Sequence, residues 1–126
     1  CYRDIHIITL PEMFLVAAEA YLKAGDNTKA LARLNEVHQR AGLAALTGTI
    51  TIDNILDESA CENFGNGARW MDLRRTKTLV ERCTKYNYEM GDKAAQYIGE
   101  KLLRPIPQAA IDANDMLTSA DQNPGY

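Results

Sequence analysis

The sequence predicts an all-α chain, and three features lead there. Two apolar stripes at three- and four-residue spacing, Phe14 to Leu22 and Ala30 to Ala41, are separated by little more than the turn-forming run Gly25-Asp26-Asn27. That is the pattern of two amphipathic helices in an antiparallel hairpin. Further helical stretches follow over about residues 52–85, broken by Gly65-Asn66-Gly67. The remainder, 86–126, is rich in loop signals. The expectation is therefore a single domain: a hairpin over about 11–42, helices over about 52–85, then a loop-rich segment and tail.

Taken in order, Ile5, Ile7, Ile8, Thr9 and Leu10 favour an extended lead-in, and Pro11, lacking an N–H, suits the first turn of a helix. Phe14, Ala17, Ala18, Tyr21 and Leu22 give that helix one apolar face, and it ends near Ala24 before Gly25. Asn27 or Thr28 can cap the second helix, whose face is Ala30, Leu31, Leu34, Val37 and Ala41, until Gly42 releases it. Ala17, Ala18 and Ala30 are small enough to let the two axes approach closely.

Residues 43–51 read as a loop, and Thr51 or Asp53 can cap a third helix containing Ile55, Leu56 and Ala60. A fourth runs from Ala68 to about Lys85 and carries Trp70, Leu73, Leu79 and Val80. Tyr86 to Lys101 is expected to be loop, with one short helix around Lys93 to Tyr97. Pro105 and Pro107 push Leu103 to Pro107 into an extended form, a short helix comes next over Ala109 to Asn114, and the end of the chain is turn or coil.

Composition narrows the function. With 126 residues, 46% hydrophobic and 25% charged, the chain is an ordinary globular length, and its net charge of −3 offers nothing to phosphate backbones. Nucleic acid is not an expected partner. The most apolar stretch, Met13 to Leu22, is interrupted by Glu19 and falls short of the roughly 20 residues that span a bilayer. The chain starts without Met and without a secretory signal, so the natural N-terminus is expected to lie upstream and the chain itself to be a soluble piece of a longer protein. The residues after Cys1 read as an extended core segment, which argues against a lipidated cysteine at that position.

Cys1, Cys61 and Cys83 cannot all pair with one another, and neither they nor the isolated His6 and His38 have metal-ligand spacing, so no metal and no cofactor is expected. His38 reads as a helix-surface residue. Asp57-Glu58 and Glu62 suggest paired carboxylates of the glycosidase kind. On a helix, however, Glu58 and Glu62 are simply neighbours four apart, and no nucleophile signature accompanies them, so no catalytic residue is assigned. The run Arg74-Arg75-Thr76-Lys77 reads as a solvated helix face.

The hairpin is similar to one tetratricopeptide repeat, with Phe14, Ala17, Ala18 and Tyr21 followed by Ala30, Leu34 and Val37. Three motifs in fixed order sharpen this. The first is Ala17-Ala18-Glu19-Ala20-Tyr21-Leu22 with Ala30, Leu34-Asn35 and Arg40-Ala41-Gly42. The second is Gly67-Ala68-Arg69-Trp70-Met71-Asp72-Leu73-Arg74-Arg75, and the third pairs Pro105-Ile106-Pro107 with Gln122-Asn123-Pro124-Gly125-Tyr126. Together they resemble the C-terminal part of the SusD/RagB family of surface nutrient-binding lipoproteins of Bacteroidetes.

The resemblance implies a non-enzymatic outer-membrane lipoprotein that binds a glycan or other nutrient and hands it to a SusC-like TonB-dependent transporter. It implies a surface-exposed parent held by a lipid anchor that this chain lacks, with these helices as scaffold and partner-contact surface. A tetratricopeptide-type peptide-binding adaptor is the alternative, and an acid-dependent carbohydrate enzyme a third. The chain departs from the family pattern at Glu58-Ser59-Ala60-Cys61-Glu62-Asn63 and at Asn66, where two arginines and one acid are missing, so an altered or reduced charge network is expected there. Within the resemblance, Tyr86, Tyr88 and Tyr97 lie in the least regular segment and are the candidates for stacking on a sugar. Trp70 is assigned to the core, and Arg69 with Asp72 to orienting their helix against its neighbours.

Overall fold

The computed structural model describes residues 7–126; the lead-in around Ile5, and the readings of Cys1 and His6, lie outside the described residues. Among the described residues the regular structure is all helical: α1 (Leu10–Lys23), α2 (Asn27–Arg40), α3 (Ile52–Glu62), α4 (Arg69–Arg75), α5 (Leu79–Tyr86), α6 (Ala94–Ile98) and α7 (Gln108–Asp112), with single 3-10 turns at Gly91–Lys93, Gly99–Lys101 and Ser119–Asp121. The chain forms two compact units, the first ending at Asp72 and the second Leu73–Tyr126.

In the first unit, Thr9 is extended and Pro11 sits in the first turn of α1, as expected of a residue with no N–H to leave unpaired. Gly25 adopts φ +82 and closes the helix with paired bonds, from its own N–H to Leu22 O at 3.0 Å and from Asp26 N–H to Tyr21 O at 2.9 Å. Those two bonds satisfy carbonyls that a helix end would otherwise orphan. Asp26 then caps α2, its Oδ1 accepting Lys29 N–H at 3.0 Å, where the sequence pointed to Asn27 or Thr28. That N–H bond, reinforced by the Lys29 ammonium at 2.9 Å, holds the Asp26 carboxyl below its ordinary value.

Leu15, Ala18, Ala30, Leu34, Val37, Ile50 and Ile55 form the core, with Phe14, Tyr21 and Leu22 packed at its edge. Ala18 and Ala30 are fully enclosed, which is the close helix approach their size allows. The buried stripe of α1 is centred on Leu15 and Ala18 rather than on Phe14 and Ala17, so the predicted face omitted Leu15, and Ala41 is exposed at the C-cap of α2 rather than part of its face. Glu19 is enclosed on the same side of α1 and receives Lys23 Nζ at 2.6 Å.

Asn27 is not the cap because its side chain is committed elsewhere. Its Nδ2 donates to Gly48 O at 3.1 Å, and its Oδ1 accepts Ile50 N–H at 2.9 Å. Two turns further along α2, Asn35 donates to Leu46 O at 3.0 Å and accepts Leu46 N–H at 2.8 Å. The 43–51 connection is thus held along α2 by two amides on one helix face, which seats Ile50 in the core. Thr51 begins α3, with Asn54 Oδ1 accepting both its N–H at 2.8 Å and its hydroxyl at 3.0 Å.

The helix expected from Ala68 to Lys85 is two helices, divided within the second unit. Lys77 takes φ +61, and Lys77 N–H to Arg74 O (3.0 Å) with Thr78 N–H to Leu73 O (2.9 Å) terminate α4 as Gly25 terminates α1. The hydroxyls of Thr76 and Thr78, 2.8 Å apart, tie the turn locally, which is how threonine competes with helix. Within 86–101 the short helix expected around Lys93 to Tyr97 is α6, and 3-10 turns flank it on both sides where loop was expected. Pro107 stands at the N-cap of α7.

Ile106 lies between two prolines, so neither neighbour offers an N–H. Gln122 answers both of its backbone groups, accepting Ile106 N–H at 2.7 Å and donating to Ile106 O at 3.0 Å, while Asn123 donates to Arg104 O at 2.7 Å. The Pro-Ile-Pro and Gln-Asn-Pro-Gly-Tyr motifs are two sides of one clasp.

Asn35→Ala leaves both Leu46 backbone groups without a partner and should destabilise the first unit by about 1–3 kcal/mol in urea titration. Lys77→Gly should raise stability by about 0.5 kcal/mol, the left-handed penalty of roughly 1 kcal/mol less the added freedom of glycine when unfolded; a decrease on thermal or urea unfolding would contradict the strain assigned to this turn.

Candidate functional site

The three tyrosines fall in the second unit. Tyr86 ends α5, Tyr88 comes just after it, and Tyr97 lies on α6, a helix that packs with α5. Tyr88 is 92% exposed, and Tyr86 and Tyr97 each 56%. Tyr86 is flanked by cations, Arg82 at 5.6 Å and Lys85 Nζ at 4.9 Å from its ring centre. The cations meet the negative π face, so part of the ring is already engaged and the remainder faces water. The Tyr88 hydroxyl donates to Glu89 Oε1 at 3.3 Å. Asn87, between the two rings, accepts the N–H groups of Glu89 and Met90 at 3.1 Å each, fixing the turn that presents Tyr88.

Two acidic residues of α3, Glu58 and Glu62, are engaged with α2. Glu58 Oε2 lies 2.8 Å from His38 Nδ1, and Glu62 Oε1 lies 2.6 Å from an Arg40 guanidinium nitrogen. His38, which the sequence reads as a helix-surface residue, is accordingly half-buried and bonded across the helix pair. The charges of Glu58 and Glu62 are thus answered by the neighbouring helix.

Arg69 donates to Leu56 O at 2.6 Å, and Asp72 accepts the Ser59 hydroxyl at 3.4 Å, so both residues tie the start of α4 to α3. Trp70 is half-buried, with its indole nitrogen enclosed and without a hydrogen-bond partner. Just before α4, residues Ser59, Asn63, Phe64, Gly65, Gly67 and Arg69 line a concavity of about 430 Å³. Phe64 is 90% exposed there. Sequence reasoning passed over this aromatic; the signal was its position directly before Gly-x-Gly, where the chain leaves its helix and carries the side chain away from the core.

Among the described residues no helix is long and apolar enough to cross a membrane, and Cys61 and Cys83 are free thiols. The fold and these surfaces define an all-helical protein that pairs a tetratricopeptide-like hairpin with exposed aromatic side chains. More particularly, the chain belongs to the SusD family, whose model matches residues 3–126. It is 30% identical over 129 residues to the starch-binding protein SusD of Bacteroides thetaiotaomicron, an alignment covering 98% of this chain and 22% of that relative. The chain thus spans about a fifth of the length of the curated relative it matches. No solved structure matches it.

Because Tyr86 and Tyr88 are largely in water, Tyr86→Ala and Tyr88→Ala should each change unfolding stability by no more than about 0.5 kcal/mol, with unchanged far-UV circular dichroism. A larger loss would show that these rings hold the second unit together rather than face a ligand.

Proposed function

We propose that this chain is part of a cell-surface nutrient-binding protein that captures a glycan and delivers it to a SusC-like TonB-dependent transporter in the outer membrane. Membership in the SusD family carries this reading, and the starch-binding function named for the Bacteroides relative supports a carbohydrate ligand. Within it, residues 1–126 form one C-terminal domain whose hairpin and α3 serve as scaffold and partner-contact surface, and the parent is tethered by a lipid anchor encoded upstream. Tyr86, Tyr88 and Tyr97 are the local sugar-stacking residues, each more than half exposed to water.

Binding rather than catalysis fits the carboxylates. Glycoside hydrolysis needs two of them facing one another across a substrate, whereas Glu58 and Glu62 sit four apart on α3 and are bonded to His38 and Arg40.

Two observations test this. The upstream reading frame should open with a lipoprotein signal ending at a cysteine and lie beside a gene for a TonB-dependent transporter; absence of both would sink the proposal. Incubated with maltoheptaose, the full-length protein should bind without releasing product, and the 126-residue chain should bind only weakly. Cleavage of the oligosaccharide would replace binding with an enzyme.

A further inference from the structure

We infer that the concavity beside Phe64 is a separate sugar subsite that seats one pyranose ring of a neutral oligosaccharide, with Phe64 as its stacking face. The inference rests on the glycan-binding reading but uses none of the tyrosines, and the site lies wholly within the first unit.

The chain builds the site at the end of α3. Gly65 and Gly67 both take positive φ, +85 and +76, so the backbone turns away from the helix immediately after Phe64 and denies that ring a place in the core. A phenyl ring has no polar group to satisfy in water, and leaving it exposed forgoes the gain of burying it. Tyr88, equally exposed, at least keeps a hydroxyl in solvent. At Gly65 and Gly67 nothing lies within 4 Å of the point where a side chain would start, so this wall is bare and a ligand ring can come close to the backbone.

The polar lining is pre-oriented. The Asp72 carboxylate takes the Ser59 hydroxyl at 3.4 Å, which leaves the Ser59 oxygen to accept Asn63 Nδ2 at 3.3 Å. That relay fixes the amide of Asn63, whose Oδ1 is enclosed and has no hydrogen-bond partner. Arg69 is drawn inward by its 2.6 Å bond to Leu56 O, and the other named lining side chains are uncharged, so the lining is polar without calling for an ionic ligand. The volume of about 430 Å³ falls within the range of small-molecule sites, which are mostly apolar with a few fixed polar groups. A pyranose has the complementary form, with apolar ring faces for Phe64 and a hydroxyl edge for the polar lining.

The test is a two-dimensional ¹H–¹⁵N NMR titration of the 126-residue chain, with maltoheptaose and separately with xylohexaose. The Gly65 and Gly67 amides should shift with sugar concentration. Affinity at those amides should fall about tenfold in Phe64→Ala, as loss of a stacking contact implies, and be retained in Phe64→Trp. Because Phe64 is outside the core, neither variant should alter the fold, and the unperturbed spectrum checks this directly. Shifts confined to residues 86–97 overturn the subsite and leave the glycan reading standing. Silence throughout the chain with both sugars also overturns the subsite, and only a full-length protein that fails to bind as well removes the broader reading. Glycine shifts that persist in Phe64→Ala, or a stronger response to an aromatic-rich peptide, overturn it too.

Discussion

The constraint that shapes this molecule is that a backbone leaving a helix must still find partners for its N–H and C=O groups. With no sheet among the described residues, side-chain amides supply those partners. Asn35 exchanges two hydrogen bonds with Leu46, and Gln122 exchanges two with Ile106, each amide imitating a neighbouring strand for a single residue. The consequence in the first unit is direct: without Asn27 and Asn35 along one face of α2, the 43–51 connection would have no register, and Ile50 would have no reason to lie in the core. In the second, the proline pair around Ile106 makes an extended form easy to adopt and hard to pair, which is why its partner comes from a side chain.

The hairpin depends on side-chain size instead. Ala18 and Ala30 bring α1 and α2 together, and Leu15, Leu34 and Val37 fill the space on either side. α3 is then held to α2 at its outer edge by His38 with Glu58 and Arg40 with Glu62. These pairs cost side-chain freedom and return modest energy where exposed, so their contribution is to register as much as to stability. They also account for two of the acids of α3: Glu58 and Glu62 are spaced to meet two bases of α2 that are themselves two residues apart.

Exposed aromatic rings arise where helices stop. Asn87 shapes the turn beyond α5 that exposes Tyr88, and the glycines beyond α3 expose Phe64. In both places an aromatic ring is displaced from the core by the geometry of a helix end. The SusD relative that the chain matches is several times longer than this chain.

The all-α class, the hairpin and its small-residue seam were legible in the sequence, because helical periodicity and glycine stops are local properties that each segment carries alone. The order of its three motifs likewise sufficed for the family. Tertiary contacts were needed to establish that Asp26 rather than Asn27 caps α2, that His38 is paired, and that α4 and α5 are separate helices. In the first two cases the outcome turned on a partner some twenty residues away: Gly48 and Ile50 claim Asn27, and Glu58 claims His38. In the third, a lysine stands where a glycine would have signalled the stop, and its left-handed turn is set by hydrogen bonds that no propensity encodes. The exposed Phe64 belongs with these, since a ring before Gly-x-Gly can be buried or bare until the path of the chain is known.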